Sequence, residues 1–243
     1  WLIKACHAYG GKVIATVTTA KHAIAAQEQG ADAVMVTGHE AAAHGGEVTS
    51  LVLVPAIVDV VKIPVIACGG FADQRGVLAA LALGAEAVAM GSRFATVKES
   101  PLHEHIKQQV IAKDQHETIY SPHFDGLPAR YMKTPLAEKL TKKPMNFVLA
   151  MVQAFFAAIQ LKVPIWKVLA GILVEPQKIR LLANFGAATP KLKAATEQGD
   201  LAKGMQFIGQ SQGLIHDVCS AEEMMQRLVK DLDKRLLAIQ EKI

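Results

Sequence analysis

A repeated unit constrains the fold of this chain more than any other feature. Residues 21–36 match residues 75–90 at an offset of 54 positions, and each copy combines an alanine-rich helix, a Gly-Ala pair, an acidic residue and an Ala-Val strand start. One further unit lies between the two copies. Short β-branched runs that alternate with apolar helices predict βαβ connections and a parallel sheet. We therefore expect blades of a (β/α) barrel, with a doubly wound open sheet as the alternative.

The pattern predicts four strands and three helices before residue 94. The expected strands are Lys12–Val17, Ala33–Thr37, Pro64–Cys68 and Ala87–Gly91, and the expected helices are Ala20–Gln29, Pro55–Val61 and Gln74–Leu83. Gly30 and Gly84 stand where two of these helices end, a position that favours a left-handed residue. A (β/α)8 barrel needs eight strands in about 250 residues, so this stretch supplies half of one.

The rest of the chain reads as mostly helical. Helices are expected at His103–Ala112, Pro135–Leu140, Met145–Leu161, Ile165–Leu173 and from Ser220, a good N-cap, to Ile239. The apolar stretch Phe147–Leu161 is interrupted by two glutamines and is shorter than the roughly 20 residues that cross a bilayer, so we expect a buried helix and no membrane partner. Its aromatic side chains are expected in the core, with that of Trp166: Phe147, Phe155 and Phe156.

The charge and the cysteine content of the chain indicate which partners and which cellular compartment to expect. The net charge of +4 is spread along the 243 residues, whereas nucleic-acid binders gather basic residues into a patch, so we expect no nucleic-acid partner. The three cysteines, Cys6, Cys68 and Cys219, show no zinc-type spacing, and an odd number cannot form a closed set of disulfides, which favours a cytoplasmic protein. The chain starts at Trp1 without a signal peptide, and we interpret this start as a trimmed N-terminus.

One short loop carries two histidines and a carboxylate. The run His39-Glu40-Ala41-Ala42-Ala43-His44 follows the second strand, at the end where barrels place catalytic groups. Histidine titrates near neutral pH, so a histidine here can act as a base. The alternative from the residues alone is a solvated loop histidine.

Two neighbouring strands both end in glycine. Gly69 and Gly70 follow the third strand, and Gly91 ends the fourth, with Ser92 directly after it. Glycine lets backbone N–H groups approach a ligand closely, and a following helix N-terminus favours an anion. Ser92 adds a hydroxyl and Arg93 adds a charge. We predict a phosphate site between these two loops, with tight turns as the alternative.

The remaining clusters are interpreted as structural. His103 and His105 point away from each other on a helix, so we predict no metal site there. Asp73 and Arg75 open a helix as a cap and a surface charge. Cys68 is expected to be a buried strand residue.

The run from Lys12 to Phe94 resembles the nitronate monooxygenase (2-nitropropane dioxygenase) family in its His44 loop, its Gly69–Asp73 turn and its Met90–Phe94 strand end. Proteins of that family are FMN-dependent (β/α)8 barrels with a helical insert or second domain. The group also contains NADH:quinone reductases and flavin-dependent enoyl-acyl-carrier-protein reductases. The resemblance implies that the chain is the C-terminal half of a barrel, strands five to eight, with the N-terminal half missing. Residues 1–100 would form the half barrel and residues 101–243 a helical domain with the C-terminal helix.

The resemblance also implies roles for single residues. His44 matches the family's catalytic histidine, and a further set matches the segments that hold FMN: Ala42, Gly69, Gly70, Ala89, Met90, Gly91 and Ser92. The implied reaction oxidises a nitronate or nitroalkane with O2 to a carbonyl compound and nitrite, and His44 removes the α-proton of a nitroalkane.

Two alternative functions remain open. The first is an NAD(P)H-dependent flavin reductase of quinones or enoyl thioesters. The second is an inactive half barrel that acts as a binding or interaction module, which Ala42 and Ala43 favour because they replace a glycine pair of the family. The expected partners are a small-molecule substrate and either a second copy or a complementing N-terminal half.

Overall fold

The computed structural model describes residues 1–42, 44–160 and 179–242. A parallel sheet forms the N-terminal part, and its strands lie side by side in sequence order. They are β1 (Ile14–Val17), β2 (Ala33–Thr37), β3 (Val65–Cys68) and β4 (Ala87–Ala89). Helix α1 (Leu2–His7) precedes them, and α2 (Ala20–Glu28), α3 (Ser50–Val58) and α4 (Gln74–Ala82) connect them. The predicted α/β class with parallel strands is confirmed.

The repeat in the sequence is a repeat in the structure. α4 begins 54 residues after α2, and β4 begins 54 residues after β2. Gly30 and Gly84 both have a positive φ, of 95° and 90°, immediately beyond the ends of the two helices. The left-handed helix ends expected from these glycines are therefore present.

One face of the sheet packs against the helices and forms the main core. Val34 and Val36 of β2 and Val65 and Ala67 of β3 are almost fully buried on this face. The opposite face carries Thr16, Met35 and Ile66, which the strand register aligns and which are exposed or only partly buried. In a barrel, this opposite face is the interior.

The second part of the chain contains most of the helices. They are α5 (Gly91–Ala95), α6 (Glu104–Ala112), α7 (Pro135–Thr141), α8 (Phe147–Gln160), α9 (Ile179–Thr196), a 3₁₀ helix (Gln210–Leu214), α10 (Ala221–Val229) and α11 (Leu232–Gln240). The prediction missed an antiparallel hairpin, β5 (Thr118–Ser121) and β6 (Ala129–Met132). β5 contains Thr118, Ile119 and Tyr120, and β-branched and aromatic residues of this kind favour strands over helices.

Three predicted boundaries are wrong for identifiable physical reasons. α3 begins at Ser50, because the carboxylate of Glu40 accepts the Ser50 N–H at 2.9 Å and so satisfies a donor of the first turn. Pro55, where the predicted helix began, therefore lies inside α3. β4 ends at Ala89, and Met90 is the N-cap of α5. The predicted C-terminal helix is broken at Asp231, because its φ of 57° does not occur within a right-handed helix.

α8 contradicts the prediction of a buried helix. Its small residues Ala150 and Ala157 are buried, whereas its large apolar side chains are exposed, Val148 by 69% and Phe156 by 59%. The alanines let α8 approach α9 closely, since Ala154 lies directly against Gly186. Phe147 and Phe155 are exposed with the rest of this face, so their assignment to the core is wrong.

The predicted helix Ile165–Leu173, with Trp166, lies outside the described residues. Among the helices that the structure describes, none is long and apolar enough to cross a bilayer.

Candidate active site

The loop after β2 is fixed to the loop after β3. Glu40 accepts a hydrogen bond from the Ser50 N–H at 2.9 Å, and the Ser50 hydroxyl lies 3.1 Å from the Glu40 carboxylate and 2.8 Å from the Gly69 carbonyl, to either of which it can donate. The Gly38 N–H donates to the Cys68 carbonyl at 2.9 Å. A Cβ at Gly69 would lie 3.1 Å from the Gly38 carbonyl oxygen, so glycine permits this close approach.

The β5–β6 hairpin holds the same loop from the other side. Arg130 Nη2 donates to the His39 carbonyl at 2.9 Å, and Tyr120 donates its hydroxyl to the Gly45 carbonyl at 2.9 Å. The His39 ring packs edge-on against Tyr120 with its centroid 4.5 Å away, and its Nδ1 lies 3.0 Å from the Gly46 carbonyl. His39 therefore shapes the loop, which leaves His44 as the histidine for chemistry.

His44 is paired with a buried carboxylate. Its Nε2 lies 2.8 Å from Oδ2 of Asp125, which is 1% exposed, whereas the His44 side chain is 34% exposed. A carboxylate only accepts hydrogen bonds, so Nε2 carries the proton and Nδ1 is the basic nitrogen of a neutral ring. The pair thus has the orientation of a general base and its positioning carboxylate.

Aromatic side chains surround the pair. The rings of Phe185 and Phe207 lie 5.7 and 5.8 Å from that of His44. Tyr131 stacks on Phe207, and its fully buried hydroxyl has no hydrogen-bond partner among the described residues. Burial, and secondarily the charge of Asp125, raises the pKa of Tyr131, so this hydroxyl stays protonated.

The predicted phosphate loops lie at the ends of β3 and β4. Gly69 and Gly70 have positive φ values of 103° and 83°. Gly91 is exposed and has open space where a side chain would stand. It begins α5, whose first N–H groups have no partner within the helix. Backbone donors beside open space fit a phosphate group, so the residues present fit the predicted cofactor at its phosphate end.

The other residues expected to bind the cofactor lie close to these loops. Ala89 ends β4 and Met90 caps α5. Ser92 is buried, and its Oγ accepts the Gly209 N–H at 2.9 Å. Gly209 in turn lies close to the backbone of Ala42, so a single backbone segment connects Ser92 to the His44 loop.

Arg93 does not serve the glycine loops. Its side chain is 3% exposed and turns towards the C-terminal segment, where Nη1 donates to the Asp217 carbonyl at 3.1 Å. The prediction that Arg93 adds a charge to the phosphate site is therefore wrong, because its guanidinium binds the chain ahead of α10.

Several other polar residues have structural contacts, and the cap predicted at Asp73 is confirmed. Asp73 caps α4 by accepting the N–H groups of Arg75 and Gly76. His103 caps α6, and His105 Nδ1 lies 2.7 Å from the Gly199 carbonyl. Over residues 1–42, 44–160 and 179–242, no three His, Cys, Asp or Glu side chains cluster as a metal site would require. The three cysteines are unbridged.

A sequence profile of the nitronate monooxygenase family matches residues 2–231 of this chain. The chain belongs to the nitronate monooxygenase family. The sequence prediction of the family is confirmed, and with it the assignment to a family of oxidoreductases.

Relatives of known name include several kinds of family member. A (3aS,4S,5R,7aS)-5-hydroxy-7a-methyl-1-oxo-octahydro-1H-indene-4-carboxyl-CoA dehydrogenase of Rhodococcus jostii is 36% identical and covers 98% of this chain and 69% of its own length. A probable nitronate monooxygenase of Staphylococcus aureus is 39% identical over 54% of this chain and 40% of its own. The solved structure of FabK from Thermotoga maritima is 32% identical, with a TM-score of 0.76 over 99% of this chain and 67% of its own. The chain spans about two thirds of the length of the relatives that it matches from end to end.

The fold is shared more widely. A nitroalkane oxidase of Streptomyces ansochromogenes is 23% identical and superposes with a TM-score of 0.75 over 98% of this chain and 62% of its own. These likenesses establish that the α/β chain has the fold found in the barrel proteins of the family.

Sequence reasoning missed the residues that the hairpin contributes. Tyr120, Asp125 and Arg130 all lie between residues 118 and 132, which were read without strands. A signal was present, because the dipeptide Asp125-Gly126 stands between two runs rich in aromatic and β-branched residues, which indicates a hairpin.

Proposed function

We propose that this chain forms the catalytic part of a flavin-dependent oxidoreductase whose substrate is a carbon acid. The observation that carries the proposal is the His44–Asp125 pair, because it orients a basic ring nitrogen on a loop that Glu40 and Ser50 connect to the glycine loop after β3. A proton on carbon next to a nitro group or a thioester carbonyl is acidic enough for a histidine base to remove. Either kind of compound therefore suits the site.

We propose FMN as the flavin, held at its phosphate by Gly69, Gly70, Gly91 and Ser92. When bound, FMN supplies the acceptor or donor of electrons that no side chain provides. His44 Nδ1 takes the α-proton of a neutral substrate, or gives a proton back in the reductive direction. Asp125 holds the ring in place and stabilises the imidazolium that forms. Phe185 and Phe207 exclude water from one side of the ring.

The leading substrate is an alkyl nitronate or nitroalkane, with O2 as oxidant and a carbonyl compound and nitrite as products. The match of the family profile over residues 2–231 supports it. A CoA or acyl-carrier thioester, oxidised or reduced with NAD(P)H as partner of the flavin, is the second candidate. Two CoA dehydrogenases, which cover 98% and 91% of this chain, favour this candidate.

The experiment that tests the proposal starts with binding. The purified chain is mixed with FMN and passed through a gel-filtration column while absorbance at flavin wavelengths is recorded. We expect FMN to co-elute with the protein and to be lost in Gly91→Leu, whose side chain fills the open space. An Ala8→Leu variant, which enlarges an exposed residue of right-handed helical conformation at the end of α1, serves as control. FMN that elutes separately from the wild-type chain contradicts the proposal for this chain.

Turnover then separates the two substrates. Nitrite released from a nitronate without NADH supports the monooxygenase, whereas bleaching of the flavin by NADH and reoxidation by an enoyl thioester support the reductase. A chain that binds FMN and does neither supports the inactive binding module. The half-barrel interpretation, the division at residue 100, the oligomeric state and the cytoplasmic location stay predictions.

A further inference from the structure

We infer that a cleft between α4 and the C-terminal helices α10 and α11 binds a phosphate-bearing ligand. The cleft has a volume of about 500 Å³, within the range of small-molecule sites. The first turn of α4, the chain ahead of α10 and side chains of α10 and α11 line it. Gly69, Gly70, Gly91 and Ser92 are not part of its lining, so it is separate from the proposed flavin site.

The cleft carries more guanidinium groups than carboxylates. Four arginines line it, Arg75, Arg93, Arg227 and Arg235, together with His216. The carboxylates in its lining are those of Asp73 and Asp217, and Glu223 binds Arg227 from the rim. The excess of positive charge in a concave site attracts an anion.

The positive charge of Arg93, the buried member of this set, is only partly balanced by its neighbours. Arg93 Nη1 donates to the Asp217 carbonyl at 3.1 Å, whereas its Nε donates to the sulfur of Met224 and its Nη2 to the sulfur of Cys219, and sulfur is a weak acceptor. Its carboxylate partner, Asp217, lies 3.3 Å away and binds Arg227 more closely, at 2.6 Å. A guanidinium that is 3% exposed needs strong acceptors, and an anion in the cleft would supply them.

The rim arginines suit a phosphate in particular. Arg75 is 63% exposed and is held at the start of α4 by Asp73. Arg235 Nη2 contacts the amide oxygen of Gln74 at 2.8 Å across the cleft, once that amide is oriented to satisfy its neighbours. The planar fork of an arginine matches two oxygens of a phosphate, and charge-assisted bonds of this kind are strong.

The ligand class is therefore a phosphate monoester or a diphosphate, as carried by nucleotides and thioester carriers. This inference goes beyond the proposed redox function and does not depend on it, because it rests on the charges of the cleft alone. The test uses two probes, inorganic pyrophosphate and adenosine 3′,5′-bisphosphate, which distinguish a bare diphosphate from a nucleotide-borne phosphate.

Each probe is titrated by calorimetry into the wild-type chain, with FMN present in excess so that the glycine loops are filled. We expect saturable binding of at least one probe. Arg235→Gln and Arg75→Gln, both on the exposed rim, should each weaken it about tenfold, the effect of one lost charge-assisted contact. Arg180→Gln on α9 removes an exposed arginine outside the cleft and should leave the affinity unchanged.

The affinities of the variants test the proposed phosphate site. Loss of affinity in both rim variants, with melting curves like the wild type, supports the site, and the tighter probe identifies the ligand class. Absence of saturable binding of both probes, or equal affinity in the rim and control variants, overturns it. The comparison is between variants of one chain, so the result stands whether or not FMN binds.

Discussion

At the scale of single residues, the partner of His44 is the point on which the proposed chemistry depends. Asp125 is buried and holds Nε2, so the basic nitrogen of the ring is fixed as Nδ1. The loop of His44 and the hairpin of Asp125 are 81 residues apart in sequence. No local pattern in the loop indicates this pairing.

We predict that Asp125→Asn lowers the turnover rate about 100-fold, the scale of a misdirected general base. An asparagine can present its N–H to the ring and stabilise the wrong tautomer. Flavin content should stay at the wild-type level, and Asp125→Glu should restore part of the rate. Stopped-flow kinetics and the flavin spectrum measure both quantities.

The matched control is Asp59→Asn, which changes an exposed aspartate after α3. A wild-type rate in Asp125→Asn, or loss of flavin together with rate, would contradict the role of Asp125 in positioning His44.

Cys68 gives a second prediction at this scale. Burial at the end of β3 raises the pKa of its thiol, an effect only partly offset by a hydrogen bond with Thr37. Because the thiolate is the reactive form, alkylation by iodoacetamide should accelerate about tenfold per pH unit between pH 7 and pH 9. Mass spectrometry of the wild type and Cys68→Ser identifies the modified peptide. A rate that is already constant from pH 7 upward would contradict the raised pKa.

At the scale of elements, the sequence predicted what local rules control. The 54-residue repeat and the glycines at helix ends gave strands and helices close to those observed, since each unit packs against its own neighbours. The start of α3 depends on Glu40, ten residues away, and the exposure of α8 depends on how closely α9 packs. Contacts between segments that are distant in sequence determine such features, and these contacts cannot be predicted from a single sequence.

The candidate site shows the same division. His44 and the glycine loops follow strand ends, and strand ends are visible in the pattern. Asp125, Tyr120 and Arg130 were missed because the hairpin that carries them was taken for part of a helical region. The direction of Arg93 was missed because the sequence does not show which neighbour its side chain reaches.

The attachment of α1 gives a prediction for an element. Asp32 accepts hydrogen bonds from the Val13 N–H, from His7 of α1 and from Lys12. These contacts hold the pKa of its carboxyl well below the usual range, with the Val13 bond the largest cause. Because the pKa of Asp32 is lower in the folded than in the unfolded chain, the ionised carboxylate stabilises the fold above about pH 4. This stabilisation is lost as the pH falls towards the pKa of the folded state.

Asp32→Asn should therefore lower the Tm at pH 7 by about 2 °C or more and speed hydrogen exchange of the Val13 amide. The difference from the wild type should shrink below pH 4. Glu28→Gln, an exposed change at the end of α2, is the control. A constant difference in Tm from pH 7 to pH 3 would argue against the ionised Asp32 as the source.

At the scale of the whole molecule, the exposed face of α8 is a long apolar surface. Its fourteen residues include no charge, and its large side chains face outward: Phe147, Val148, Leu149, Val152, Phe155, Phe156 and Ile159. Contiguous apolar surface of this kind binds hydrophobic dyes.

We predict that the double variant Val148→Ser with Phe156→Ser lowers the fluorescence of bound ANS by roughly a third or more. Both side chains are more than half exposed, so their removal should cost little stability. The control changes an equally exposed pair on α3, Leu51→Ser with Val52→Ser, which lies outside the α8 face. Equal dye binding in both variants would show that the α8 face is not the dye site.

The tie between the His44 loop and the β5–β6 hairpin has a consequence for protein engineering. Arg130, Tyr120 and Asp125 each bind a different part of one loop. A chimaera of two family members that joins the loop of one parent to the hairpin of the other breaks several of these matched contacts at once. Residues 38–46 and 118–132 should therefore come from the same parent in any chimaera, although some seventy residues separate them in the sequence.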